Sequence, residues 1–115
     1  MHTMLVLSTA GSTKEATRIA QVLVEEKLAA CINIIPGLTS VFYWGGKICQ
    51  EKEVILFIKT NEGQLKKIIN KIKNIHSYEL PEILYFKING GEKKYLQWIK
   101  GILHKKNIDN KKPKR

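Results

Sequence analysis

The stretch Ser40-Val41-Phe42-Tyr43-Trp44-Gly45-Gly46-Lys47 predicts the turn of a long β-hairpin. β-branched and aromatic residues favour extended backbone, and a Gly-Gly pair suits the two positive-φ positions of a type I′ turn. The strand that enters the turn begins near Ala30, and we expect Pro36-Gly37 to break or bulge it. The returning strand runs to Thr60 and is charged before it becomes apolar. We therefore expect the half near the turn to project and the other half to be core.

Two amphipathic helices flank this hairpin along the chain. In the first, Ser12 and Glu15 have capping-box spacing, and apolar residues recur at i, i+3, i+4 and i+7. The apolar stripe of this helix is Ala16, Ile19, Ala20 and Leu23. The second helix has an aliphatic stripe opposite a face of lysines that we interpret as solvated. Its stripe is Leu65, Ile68, Ile69, Ile72 and Ile75.

Short apolar segments at residues 4–8 and 83–88 complete two β-α-β units, at about residues 3–44 and 47–88. A stripe of Tyr95, Trp98, Ile99 and Ile102 predicts a third helix. This order predicts a ferredoxin-like sandwich of the α+β class, βαββαβ plus a C-terminal helix, with an antiparallel four-stranded sheet. Two helices cover one face, so the apolar second face and the overlong hairpin favour pairing with another copy of the chain.

Length and charge indicate one domain with a basic tail. The chain has 115 residues, of which 43% are hydrophobic, and this suits a single core. We assign residues 1–104 to that domain. Of the net charge of +10, half lies in residues 105–115, where six basic residues accompany Asp109. This segment has no apolar periodicity, so we expect a disordered tail with weak polyanion contacts at most, and no nucleic-acid partner.

Several classes of protein do not suit this sequence. No apolar run reaches the roughly 20 residues that span a bilayer, and the first residues do not resemble a secretory signal. We therefore expect a cytoplasmic protein with no membrane partner and with Cys31 and Cys49 reduced. No arrangement of nucleophile, base and carboxylate is apparent, so we do not expect an enzyme.

The segment His76-Ser77-Tyr78-Glu79-Leu80-Pro81-Glu82 is the candidate functional site. It places one imidazole and two carboxylates between a helix and a strand, and both groups are common ligands of divalent metals. A solvated loop is the alternative interpretation. An inter-subunit salt bridge from Glu82 to Lys59 is a further alternative.

Five segments together resemble, in their order and spacing, the CutA family of small trimeric proteins linked to divalent-cation tolerance. The segments are Ser8-Thr9-Ala10, Lys27-Leu28-Ala29-Ala30-Cys31-Ile32-Asn33, Ser40-Val41-Phe42-Tyr43-Trp44 with Lys47, Phe57-Ile58-Lys59-Thr60 and His76-Ser77-Tyr78-Glu79-Leu80-Pro81-Glu82. The resemblance covers about residues 4–103. It implies a homotrimer whose hairpin strands interlock around a threefold axis, as in PII-like signalling trimers.

The resemblance also implies a metal site. In the family, metal binding has been associated with a Cys near the end of the first strand and with two adjacent His before a Tyr-x-x-Pro-Glu segment. Those positions are Ser8, Ile75 and His76 in this chain, so one ligand of three matches, and Ser8 lacks the soft thiolate that favours copper(I). The implied site holds a divalent metal ion, copper or zinc, through His76 with Glu79 or Glu82.

The leading hypothesis is a non-catalytic, cytosolic homotrimer that binds divalent cations. Its expected function is in tolerance of and response to metals, copper in particular. The alternative is a PII-like signalling or scaffold trimer that binds a small anionic ligand or a partner protein in its inter-subunit clefts. Tyr43, Trp44, Lys59 and Tyr78 are the candidates to line those clefts, although aromatic residues also anchor subunit interfaces. RNA binding is disfavoured because the sequence has no RNP1-type pattern.

Overall fold

The computed structural model describes residues 1–104, and the tail predicted at residues 105–115 lies outside that range. The elements follow the predicted order of strands and helices. The strands are β1 (Thr3–Ala10), β2 (Cys31–Trp44), β3 (Lys47–Asn61) and β4 (Ile83–Lys87). The helices are α1 (Thr13–Glu25), α2 (Leu65–Ile75), which follows a short 3-10 helix at Glu62–Gln64, and α3 (Lys93–His104).

The four strands form one antiparallel sheet in the order β2-β3-β1-β4. This order puts the two β-α-β units side by side, with β1 and β3 in the centre and β2 and β4 at the edges. The predicted α+β class and ferredoxin-like arrangement are therefore confirmed.

The β2–β3 hairpin has the turn and the bulge that the sequence predicts. Gly45 and Gly46 have φ values of 59° and 77°, and Trp44 pairs directly with Lys47 across the turn. The register shifts between Ile35 and Leu38, where Gly37 has a φ of 82°. Both features need positive φ, which glycine adopts without steric cost.

The part of the hairpin near the turn extends past the rest of the sheet. The β1 strand pairs with β3 only from position 54 to position 61, so residues 38–53 pair only with each other. We call residues 38–53 the distal hairpin. The protein measures 49 × 28 × 25 Å along its principal axes, which confirms the expected projection.

Helices α1 and α2 cover one face of the sheet and form the main core. All four residues of the predicted α1 stripe are buried, and Ile68 and Ile72 of α2 are fully buried beside them. They pack against the strand residues Val6, Leu56 and Ile58. Because alternate strand residues point to opposite faces, the intervening residues form the second face.

We call that second face, which includes Leu7, Ile35, Ile55, Phe57, Leu84 and Phe86, the outer sheet face. Helix α3 covers part of it, since Tyr95 of α3 contacts Lys59 of β3. In α3 the buried residues are Ile99 and Leu103, whereas Tyr95 and Trp98 of the predicted stripe are 39% and 38% exposed. The predicted stripe is therefore correct at Ile99 and Ile102, which pack beside the buried Leu103, whereas Trp98 remains partly exposed. Within residues 1–104, no helix is long and apolar enough to cross a membrane.

Candidate functional site

The site lies where the loop from α2 to β4, residues 76–82, meets the start of α1 and the end of β1. We call these seven residues the junction. Helix α2 ends at Ile75, and His76 follows in extended conformation with its amide still bonded to the Ile72 carbonyl oxygen at 2.9 Å. The change of backbone direction at His76 turns its side chain into the protein, where the imidazole has 0% exposure.

Both ring nitrogens of His76 have a hydrogen-bond partner. Nε2 lies 2.7 Å from the Thr9 carbonyl oxygen, which can only accept, so Nε2 carries the proton and donates it. Nδ1 lies 3.0 Å from the Tyr78 amide nitrogen, which can only donate, so the Nδ1 lone pair accepts that bond. The two bonds together define the neutral Nε2–H tautomer.

Glu15 ties the junction to the first turn of α1. Its carboxylate accepts from the Ser77 amide at 2.8 Å and from the Ser77 hydroxyl at 2.9 Å. Ser12 caps the helix by accepting from the Glu15 amide at 3.1 Å. The predicted capping box therefore exists only in its serine half, because the Glu15 side chain bonds to the junction and not to the cap residue.

Tyr78 ties the junction to the base of the hairpin. Its hydroxyl donates to Oε2 of the buried Glu53 at 2.9 Å, and its ring lies 4.7 Å from the His76 ring. Burial and the neighbouring Glu53 carboxylate raise the pKa of Tyr78 to about 12, so the hydroxyl remains a donor at neutral pH. A Cβ at Gly11 would approach this hydroxyl to 3.3 Å, and glycine therefore allows the close contact.

The family ligand positions other than His76 are structural in this chain. Ser8 is 1% exposed and donates its hydroxyl to the Glu82 carbonyl oxygen at 2.7 Å. Ile75 packs against the main core. The Ser8 bond holds the start of β4 beside β1.

The predicted metal ligands do not form a ligand set within one protomer. His76 is buried with both nitrogens engaged, whereas Glu79 and Glu82 are exposed. Across residues 1–104 there is no group of three His, Cys, Asp or Glu side chains placed to hold a metal ion. The residues at the junction therefore do not fit the copper or zinc ion that the resemblance implies.

The predicted cleft residues lie in three separate places. Tyr43 and Trp44 are at the tip of the distal hairpin and are 76% and 61% exposed. Tyr78 lies in the junction, and Lys59 lies on the outer sheet face, where its ammonium donates to the Tyr95 hydroxyl at 3.1 Å. Within one protomer they do not share a cleft, and their role in a cleft between subunits stays a prediction.

Sequence reasoning missed the roles of Thr9, Glu15, Ser77 and Glu53, which hold the junction in place. Thr9 contributes only a main-chain carbonyl, which leaves no signal in the sequence. Glu53 carries a signal, because a carboxylate next to the apolar run of a central strand is costly to bury without a partner. Its partner, Tyr78, is 25 residues away.

Acidification is expected to weaken the fold partly through Glu15. Burial acts to raise the pKa of this carboxyl, but the Ser77 bonds and the neighbouring His76 and Arg18 side chains outweigh burial, and the pKa lies below its ordinary value. Such a carboxyl stabilises the fold above its unfolded pKa, and the contribution is lost as the pH falls through its folded pKa. Below about pH 4.5, the free energy of unfolding should therefore fall more steeply for the wild type than for Glu15→Gln.

Urea unfolding curves recorded at a series of pH values measure this difference. The exposed Glu79 provides a matched control, since Glu79→Gln should keep the wild-type steepness. An equal acid dependence in the wild type and Glu15→Gln would contradict the role of Glu15.

The fold and the junction define an α+β sandwich protein with a projecting hairpin and an apolar sheet face that is only partly covered. A sequence profile described as CutA1 divalent ion tolerance protein matches residues 4–101. The chain belongs to this CutA1 family.

Individual relatives agree with the family assignment. The divalent-cation tolerance protein CutA of Thermus thermophilus is 42% identical over 96 residues, which cover 84% of this chain and 93% of that protein. The crystal structure of CutA1 from Oryza sativa is similar with a TM-score of 0.87 at 38% identity, and the match covers 89% of this chain and 94% of that one. A structure described as the periplasmic divalent cation tolerance protein CutA from Archaeoglobus fulgidus has a TM-score of 0.86 at 38% identity, over 89% and 99% of the two chains.

Proposed function

We propose that this chain serves divalent-cation tolerance, including tolerance to copper, as a non-catalytic homotrimer in the cytosol. The observation that carries the proposal is the apolar surface left exposed in one protomer, which supports assembly into a homotrimer. Leu84, Phe86 and Ile35 on the outer sheet face are 52%, 49% and 42% exposed. Apolar patches of this kind mark interaction sites in folded proteins.

The distal hairpin supports a second copy of the chain as the partner. Val41, Tyr43, Trp44 and Ile48 are each at least 60% exposed, although they lie in paired strands. A long strand edge with unpaired backbone groups can pair with another chain, and aromatic residues are typical interface anchors. In the trimer that the CutA resemblance implies, the neighbouring copies cover this exposed apolar surface.

Two further observations bear on the tolerance role. Two of the relatives named above, from Thermus thermophilus and Archaeoglobus fulgidus, are called divalent cation tolerance proteins, and this supports the same role here. Cys31 and Cys49 are free thiols, which suits the reducing cytosol. The proposed role does not require a metal ion at the junction.

Sedimentation and growth measurements test the proposal. The full chain at micromolar concentration should sediment with three times the 13.2 kDa mass of one chain. In cells whose own CutA gene is deleted, expression of this chain should restore growth in added copper or zinc salts. A chain that sediments at 13.2 kDa, or that leaves metal sensitivity unchanged, contradicts the proposal.

One observation favours an anion-binding function as a second candidate. The half-buried Lys59 ammonium bonds to the Tyr95 hydroxyl and lies 5.4 Å from the Tyr95 ring centroid, and it has no carboxylate partner within residues 1–104. Tyr95 in turn stacks on Trp98 at 5.7 Å. An ammonium beside exposed aromatic rings suits a small anion that carries an aromatic ring, which can stack while the charge forms an ion pair.

Replacing Lys59 by methionine is expected to abolish stabilisation by such an anion. A ligand that binds only the folded state raises the melting temperature as its concentration rises. Adenosine monophosphate and inorganic phosphate are suitable probes. Both carry a phosphate charge, but only adenosine monophosphate has an aromatic ring that can stack. Wild type should melt at a higher temperature with added adenosine monophosphate, whereas Lys59→Met should not.

The exposed Lys66 on α2 gives a matched control. Lys66→Met removes the same charge and should keep the wild-type response. An equal response of all three proteins, or none in any of them, would contradict a site at Lys59.

A further inference from the structure

The geometry points to His76 as a structural latch that fixes the base of the distal hairpin, at a junction that holds no metal ion. The latch is the chain of contacts from Thr9 through His76 and Tyr78 to Glu53. This inference goes beyond the proposed function, because it separates the tolerance role from metal binding at the one family ligand position that this sequence keeps.

The imidazole of His76 has no lone pair free for a metal ion. A histidine binds a metal through an unprotonated ring nitrogen. Here Nε2 is protonated toward Thr9 and the Nδ1 lone pair accepts from the Tyr78 amide. Coordination at either nitrogen would break one of these bonds and leave a buried main-chain group without its partner.

The carboxylates around the imidazole do not complete a metal site. Glu15 lies 3.7 Å from Nδ1, but each of its oxygens already accepts a bond from Ser77. Glu79 and Glu82 are on the exposed side of the loop. A buried ring at 0% exposure also leaves no open position for an ion to enter.

The same contacts give His76 a different task. The Nε2 bond fixes the ring to the end of β1, and the Nδ1 bond fixes the backbone of Tyr78. Tyr78 then reaches Glu53, the last residue of the distal hairpin, with its hydroxyl. His76 is therefore a positioning residue, which acts on the hairpin through Tyr78.

Nitrogen-detected NMR on the full-length, ¹⁵N-labelled wild type tests the tautomer directly. We expect His76 to show a protonated Nε2 and an unprotonated Nδ1, and both signals should stay in place when zinc chloride is added. Comparison with a His76→Gln spectrum assigns the signals among the three histidines of the chain. Movement of the His76 signals with zinc would overturn the proposal.

Two variants separate the latch from a ligand role. His76→Gln places an amide N–H near the Nε2 position and keeps the Thr9 bond, whereas His76→Asn places a carbonyl oxygen near the Nδ1 position and keeps the Tyr78 bond. Both remove the imidazole. A metal ligand role predicts that both variants lose zinc affinity alike, and that result would overturn the latch.

The latch predicts instead that the two variants differ in hydrogen exchange. The Tyr78 amide should exchange about tenfold faster in His76→Gln than in the wild type, as expected for one lost buried hydrogen bond, and amides next to Glu53 should follow. His76→Asn should keep the Tyr78 amide protected. Replacing the exposed His104 by glutamine provides the control and should change neither exchange nor zinc heats measured by calorimetry.

Equal exchange at Tyr78 in His76→Gln and the wild type would overturn the latch even where zinc heats are unchanged. If neither variant folds, the tautomer and the zinc response of the wild type still decide the question. The outcome of these measurements does not depend on the proposed function, which is tested separately by assembly and by metal tolerance in cells.

Discussion

Replacing Leu84 by glutamate is expected to convert the assembled protein into monomers. Leu84 lies on the outer sheet face of the edge strand β4 and is 52% exposed in one protomer. A carboxylate there remains solvated in a lone protomer, so the fold itself should survive. In an assembly that covers this face the carboxylate would be buried without a cation, at a cost of several kcal/mol for each chain.

Sedimentation at micromolar concentration measures this outcome, with the mass of one chain expected in place of three. The matched control is Val24→Glu, because Val24 is a similarly exposed aliphatic residue, at 40%, on the opposite helical layer. That variant should assemble as the wild type does, and circular dichroism should show both variants folded. A Leu84→Glu protein that still assembles would show that the outer sheet face is not the contact surface.

The hairpin could be predicted because its determinants are local. Two glycines set the turn, and Pro36-Gly37 sets the bulge, at positions that the register confirms. The stripe of α1 was equally reliable, since a helix with one apolar face can pack on a sheet in only one rotation. Residues close in sequence were enough for these elements, and the order of elements then selected the ferredoxin-like sheet.

The junction could be located from sequence but not interpreted. The three residues that suggest a metal site, His76, Glu79 and Glu82, are of types that bind metals, yet the contacts that hold the junction join residues far apart along the chain. His76 contacts Thr9 across 67 residues, and Ser8 contacts Glu82 across 74. Both contacts are made to a main-chain carbonyl oxygen, of Thr9 and of Glu82, so no residue type in the sequence indicates that the imidazole already has a partner.

The spacing of Ser12 and Glu15 is compatible with two different hydrogen-bond partners for the Glu15 carboxylate. Its spacing from Ser12 matches a capping box, and the helix does begin there. Tertiary packing brings Ser77 within reach of the carboxylate, and two bonds to Ser77 replace the single bond to the cap residue. The sequence pattern predicted the helix start correctly and the side-chain partner wrongly, because the competing partner is 62 residues away.

Replacing Tyr78 by phenylalanine is expected to lower the free energy of unfolding by about 1–3 kcal/mol, the cost of a buried polar group left without its partner. The Tyr78 hydroxyl is the donor to Glu53, whose residue is only 8% exposed. The loss should be measured by urea unfolding at pH 7 and a fixed protomer concentration, since assembly also contributes to stability. Tyr85→Phe removes the same group from an exposed position and should change stability little.

The double variant Tyr78→Phe/Glu53→Met tests why Tyr78→Phe loses stability. The cause is either the lost hydrogen bond itself or the Glu53 charge left buried without a partner. Removing both polar partners from a buried pair leaves nothing unsatisfied, and such exchanges are often nearly neutral. We therefore expect the double variant to be more stable than Tyr78→Phe alone, although it carries one more substitution. A double variant less stable than Tyr78→Phe would contradict this interpretation. It would mean that a second favourable contact in the assembled protein, and not the Tyr78 hydroxyl, offsets the cost of burying Glu53.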